Sequence, residues 1–118
     1  MPFERFIERW RTQPLFAGEP PAVRRLAVAD HRRNDPLALA AAMRGIGTGQ
    51  MAPLWGRLHE LAMPVTFLAG SLDPKYAAIG ERMMRECPAC KLVVVEGGHG
   101  LVLENPDAVA AAIEHPKP

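Results

Sequence analysis

Two residues stand where a base and its orienting acid would stand. Asp73 closes the stretch Gly70-Ser71-Leu72-Asp73-Pro74-Lys75, and His99 sits in Gly97-Gly98-His99-Gly100. Each stretch follows a short apolar run, Val65-Thr66-Phe67-Leu68-Ala69 and Leu92-Val93-Val94-Val95. Such runs, β-branched and ended by glycine, read as buried strands. In an open parallel sheet ligands gather beyond the carboxyl ends of the strands. Asp73 and His99 are therefore expected in equivalent loops at one end of neighbouring strands. Their separation, 99 − 73 = 26 residues, leaves room for one crossover helix and a return strand. A carboxylate beside an imidazole fixes its tautomer and steadies the imidazolium as it forms. Taken singly, Asp73 reads as a turn residue and His99 as a loop residue. The matched positions make the pair a candidate.

Other chemistry-bearing residues give weaker signals. Cys87-Pro88-Ala89-Cys90 is a C-x-x-C, but it follows a helical stretch and leads into a strand. A redox pair needs its first thiol at a helix N-terminus, where the dipole favours thiolate, so a turn with two incidental thiols is expected. No second Cys/His pair lies at zinc spacing, and His31, His59 and His115 are scattered, so no metal site is expected. Gly45-Ile46-Gly47-Thr48-Gly49 imitates a dinucleotide loop. The fingerprint requires a preceding strand, and an Ala-rich helix precedes it here, which excludes nucleotide binding. The six methionines read as core filling.

The elements that must position Asp73 and His99 follow from periodicity. Residues 76–86 read as a helix, and Asn105-Pro106 opens another with Val109, Ala112 and Ile113 inward. Residues 64–114 thus form a β-α-β-loop-α crossover unit. The first half is helical throughout. Phe3, Phe6, Ile7 and Trp10 share one helix face, and Pro14 closes that helix. Pro20-Pro21 opens a segment striped by Val23, Leu26 and Ala27; Asp35-Pro36 caps a helix through Met43; Pro53 begins a short one with Leu54, Trp55, Leu58 and Leu61 inward. Charge divides likewise. Residues 1–60 hold nine Lys+Arg and six Asp+Glu, while residues 61–118 hold five and seven. Two domains are expected, a helical segment over 1–61 and an α/β portion over 62–118. Two parallel strands do not make a sheet covered on both faces, so the second half reads as the edge of a larger one.

The 118 residues, 48% hydrophobic and 23% charged with net charge +1, exclude disorder and a disulfide scaffold. They offer no basic field for nucleic acid and no apolar run of membrane length. With no secretory leader visible in Met-Pro-Phe-Glu-Arg-Phe, the expected location is cytoplasmic.

Acid then histidine after two late strands resembles the tail of an α/β-hydrolase. The fold class is accordingly α/β: a helical cap segment followed by the last β-α-β-α of that fold's parallel sheet, an incomplete fold. Phe6–Phe16 (FIERWRTQPLF), Gly47–Trp55 (GTGQMAPLW) and Gly70–Tyr76 (GSLDPKY) narrow the resemblance to 2-succinyl-6-hydroxy-2,4-cyclohexadiene-1-carboxylate synthases of menaquinone biosynthesis; Gly97–Pro106 (GGHGLVLENP) is shared more widely in the fold. The resemblance implies a lyase on a hydrolase scaffold. Its Ser-His-Asp triad removes a proton and pyruvate leaves, with no cofactor. Asp73 and His99 match the triad acid and base. The implied partner is a small, carboxylated substrate, which bidentate arginines suit. Arg32 matches the family's cap arginine, Trp10 an aromatic facing the site, and Lys75 would add positive charge near the triad. Arg32 also reads as a solvated helix-end arginine, Trp10 as a core residue and Lys75 as a surface lysine.

The departure is the nucleophile. G-x-S-x-G is absent, and the single serine, Ser71, lies two residues before the acid. The oxyanion-hole loop and the early strands are absent too. The chain is expected to be the C-terminal part of such an enzyme, inactive alone. Two other readings stay open: a part of another α/β-hydrolase, an esterase or carbon–carbon bond hydrolase, and a non-catalytic remnant that self-associates through an exposed sheet edge.

Overall fold

Proline sets where the helices begin. A computed structural model describes residues 2–114; His115 and the last residues of the expected 62–118 domain lie outside them. Five helices start on proline: α1 (Pro2–Arg11), α2 (Pro21–Arg32), α3 (Pro36–Ile46), α4 (Pro74–Glu86) and α6 (Pro106–Glu114). Proline's φ suits the first helical turn, and its missing N–H is lost there without cost. Asp35 caps α3, accepting from the Leu37 and Ala38 amides at 2.8 and 3.1 Å. Short 3-10 turns cover Pro14–Phe16 and Trp55–Glu60.

Strands β1 (Val65–Gly70) and β2 (Cys90–Val95) pair in parallel, Val65 opposite Cys90 and Gly70 opposite Val95. α4 crosses between them and packs over both. Gly80 makes that contact close. A Cβ there would stand 2.6 Å from Leu92 Cδ1 and 2.9 Å from Phe67 Cδ1. Among the described residues the sheet has these two strands only, so the far edge of β1 bears no strand. A further short helix, α5 (Leu101–Glu104), follows the His99 loop, in a stretch whose pattern predicts only loop.

Side chains join α1 to α2 and fasten the helical segment to α4. Arg32 on α2 forks onto Glu4 of α1, and Arg24 Nη1 donates to the Arg11 carbonyl at 3.1 Å. The Arg82 guanidinium lies 3.8 Å above the Trp55 ring and joins α4 to the second 3-10 turn.

Several expected core residues lie outward. On α1 only Ile7 and Arg11 are buried; Phe6 and Trp10 are exposed and stack on each other, with centroids 5.9 Å apart. Leu26, Leu54 and Ile113 are exposed, as are Met43, Met51, Met63 and Met84, so these four methionines do not fill a core, while Met83 is half-buried. The buried apolar set is small: Ile7, Val23, Ala27, Ala69, Cys87, Cys90 and Leu101. Periodicity identifies the apolar face of a helix, but burial requires a neighbour to cover that face.

Candidate functional site

The loops beyond β1 and β2 are laced together. The Ser71 amide donates to the Val95 carbonyl at 2.8 Å and the Leu72 amide to the Gly97 carbonyl at 2.9 Å. The Gly97 amide donates to Ser71 Oγ at 3.4 Å. The close approach depends on Gly70, where a Cβ would strike the carbonyl oxygens of Gly97 and Gly98. Gly97 itself has φ +142, a conformation that favours glycine. Asn105 completes the frame: its side-chain amide donates to the Glu96 carbonyl at 2.9 Å, and its Oδ1 accepts from Ala108 at the start of α6.

This frame brings Asp73 and His99 together, with His99 Nδ1 2.8 Å from Asp73 Oδ2. Asp73 caps α4, and its Oδ1 accepts from the Tyr76 amide at 3.4 Å. The carboxylate therefore uses one oxygen on the helix and the other on the imidazole. The Asp73 side chain is 4% exposed and that of His99 is 30% exposed. With the carboxylate ionised, Nδ1 carries the proton and Nε2 keeps its lone pair as an acceptor. The carboxylate is hidden and the imidazole accessible, an arrangement in which a carboxylate can orient a base. His99 borders an open groove of about 290 Å³ whose other walls are apolar, from Leu68, Leu101, Val102, Leu103 and Val109. Two aromatic rings meet the imidazole. Tyr76 lies tilted at 4.6 Å, and Phe16, from the helical segment, meets it edgewise at 5.9 Å.

The other candidates make contacts of their own. Arg32 is engaged with Glu4, Nε and Nη2 both donating, at 3.0 and 2.9 Å respectively to Oε1 and Oε2. The paired guanidinium holds the Glu4 carboxyl below its ordinary value of 4.5, chiefly through those hydrogen bonds. Trp10 is exposed in the α1 aromatic ladder. Lys75 Nζ stands 5.7 Å from the Tyr76 ring centroid, one residue removed from the His99 contact. Ser71, through its hydroxyl, joins the two loops. Cys87 and Cys90 are free, buried thiols, one capping the end of α4 and the other opening β2. Among the described residues no three His, Cys, Asp or Glu side chains cluster as metal ligands would, and no helix is long and apolar enough to cross a membrane.

A family model described as "Alpha/beta hydrolase family" matches residues 2–112. The chain belongs to the α/β hydrolase family. Among curated proteins it is 31% identical over 112 residues to the 2-succinyl-6-hydroxy-2,4-cyclohexadiene-1-carboxylate synthase of Enterobacter sp. (strain 638), covering 95% of this chain and 42% of that protein. A Bacillus subtilis (strain 168) protein, provisionally named as the same synthase, is 30% identical over 107 residues, 87% of this chain and 39% of its own length. The solved structure of MenH from S. aureus superposes with a TM-score of 0.87 at 31% identity, over 95% of this chain and 44% of that one. The chain thus spans about two-fifths of the length of these relatives.

Sequence reasoning missed Phe16. Pro14 marks a helix stop, and nothing in the local pattern points Phe16 at His99. Tyr76 was legible in part, because it lies three residues after Asp73, in the first turn of the helix that Asp73 caps.

Proposed function

We propose that this chain carries the acid–base part of a Ser-His-Asp site of an α/β-hydrolase-fold lyase, one that eliminates pyruvate from a small carboxylated substrate as the named synthases do. The observation that carries the reading is the 2.8 Å contact of His99 Nδ1 with buried Asp73. In this mechanism Nε2 of His99 accepts the proton of a serine hydroxyl supplied from outside this 118-residue sequence. The serine oxygen in turn takes a proton from substrate carbon. The carbon–hydrogen electron pair forms a double bond, a carbon–oxygen bond in conjugation with it breaks to release pyruvate as its enolate, and the imidazolium returns its proton to that enolate. Asp73 stabilises the imidazolium at the moment it carries charge. The groove beside His99, walled by Leu68 and Val102, suits the carbon skeleton rather than the carboxylates. Carboxylate recognition falls to arginines of the helical segment; Arg32 serves it only after exchanging Glu4 for substrate, and Trp10 and Lys75 would flank the bound ligand.

The free edge of β1 favours a second reading, in which the chain pairs with another copy of itself and does no chemistry. The test assays the chain alone and joined to the segment of the Bacillus subtilis relative that it does not cover. Alone, it should release no pyruvate above a background that His99→Ala leaves unchanged. Joined, it should release pyruvate from the carboxylated precursor of the cyclohexadiene product, and Asp73→Asn should lower kcat by about 10⁴-fold, the size of effect seen when a triad histidine loses its orienting carboxylate. Cleavage of p-nitrophenyl esters without pyruvate would move the chain to an esterase reading. His99-dependent turnover by the chain alone would overturn the need for a second segment.

A further inference from the structure

The imidazole of His99 is held from the helical segment as well as from its own loop. Tyr76 and Asp73 both come from the start of α4. Phe16 comes from the first 3-10 turn, 83 residues away in sequence (99 − 16 = 83), and meets the imidazole at 5.9 Å with the rings inclined at 68°. Phe16 is itself gripped. The Arg11 guanidinium lies 4.0 Å over its ring. Arg11 is paired with Glu19, and the two side chains are only 4% and 7% exposed. Arg11 Nε and Glu19 Oε2 have no partner among the described residues, so the pair is desolvated without being fully satisfied. Gly18, at φ +77, turns the chain back so that Glu19 can face Arg11. The Phe16 and Ala17 amides close the turn on Gln13 and Pro14 carbonyls at 3.0 and 3.1 Å.

A buried ion pair with unmet hydrogen bonds is a poor source of stability, and its attested use is to fix a geometry. The geometry fixed here is the seat of Phe16 on the imidazole. Rotation about the Cβ–Cγ bond of histidine is soft, and one hydrogen bond to Asp73 leaves the ring free to swing about that contact. We propose that Phe16 is a positioning residue for His99, clamped by the Arg11–Glu19 pair, so that the seat of the helical segment sets the orientation of the base. The proposal rests on the Asp73–His99 reading above and assigns no chemistry to Phe16.

Nitrogen-15 NMR of the uniformly labelled chain tests it. The unaltered chain should show His99 as a single tautomer, with a slowly exchanging, low-field Nδ1 proton. Phe16→Leu should lose that proton signal and bring the two ring nitrogens toward a common, averaged shift. Phe16→Tyr should keep the signal. Glu19→Gln should reproduce the Phe16→Leu spectrum, and Arg11→Lys, which keeps the buried charge but not the planar face, should broaden the signal. The amides of Val65–Gly70 report the sheet in every variant. An unchanged His99 signal in Phe16→Leu would overturn the clamp alone. Loss of the strand amides together with the His99 signal would show a merely structural role and overturn it as well. Absence of the Nδ1 proton in the unaltered chain would sink the Asp73–His99 reading, and the clamp with it.

Discussion

At the scale of single residues, burial decides which groups react. Asp73 has one oxygen on a helix amide and the other on His99, so its charge is used twice in a place water does not reach. His99 is the exposed end of that arrangement. The thiols show the opposite case. Cys87 is fully buried and Cys90 nearly so, and burial, reinforced by the Cys87 thiol beside it, pushes Cys90 up from its ordinary value of 9.0. Thiolate is the reactive form, so both cysteines should resist iodoacetamide at neutral pH in the native chain and both should alkylate in urea. Mass spectrometry counts the adducts. Rapid native labelling of Cys90 would show the turn to be open and the C-x-x-C to be available for redox chemistry.

At the scale of elements, α4 is the piece on which the site depends. It begins on the Asp73 cap, presents Tyr76 to His99, and lies against β1 and β2 through Gly80. Replacing Gly80 by alanine sets two effects against each other. Helix propensity favours alanine by about 1 kcal/mol. The new methyl would meet Leu92 and Phe67 at 2.6 and 2.9 Å, and overpacking of that kind costs about 1–3 kcal/mol. Gly80→Ala should therefore lower the urea midpoint, and it should disturb the Asp73–His99 contact by lifting the helix start. A raised midpoint would mean that Leu92 and Phe67 yield easily and that α4 is loosely seated.

At the scale of the whole molecule, surface is the anomaly. A folded monomer of 12.9 kDa is expected to expose about 6,300 Å², and this chain exposes 8752 Å². Its radius of gyration, 16.3 Å, exceeds the roughly 13.5 Å of a compact domain of this length. The excess, about 2,400 Å², is larger than a standard protein–protein interface. Much of it is apolar, with Leu37, Ile46, Val102 and Ile113 all strongly exposed. The isolated chain should bind 8-anilinonaphthalene-1-sulfonate and gain mass with concentration in the ultracentrifuge. Joining the segment that its relatives carry should suppress both. A dye-negative monomer would show that the helices close over the apolar faces in solution.

Sequence alone determined the local units and the order in which they occur. Proline and Asp35 mark helix starts, glycine ends each strand, and acid precedes histidine across a crossover. Those signals are carried by a few neighbouring residues through backbone sterics and capping, so they survive without tertiary context. It also determined that Asp73 and His99 would emerge at one end of a parallel pair, because topology follows from the spacing. Tertiary structure alone decided which apolar faces are covered, since burial belongs to a pair of surfaces and not to either one. That is why Trp10, Ile113 and four of the methionines lie outside the core expected for them, and why Arg32 meets Glu4 across two helices. The contact of Phe16 with His99 is of the same kind. It joins residues far apart in the chain through a turn whose course is set by a buried ion pair, and no local pattern encodes where such a turn will land.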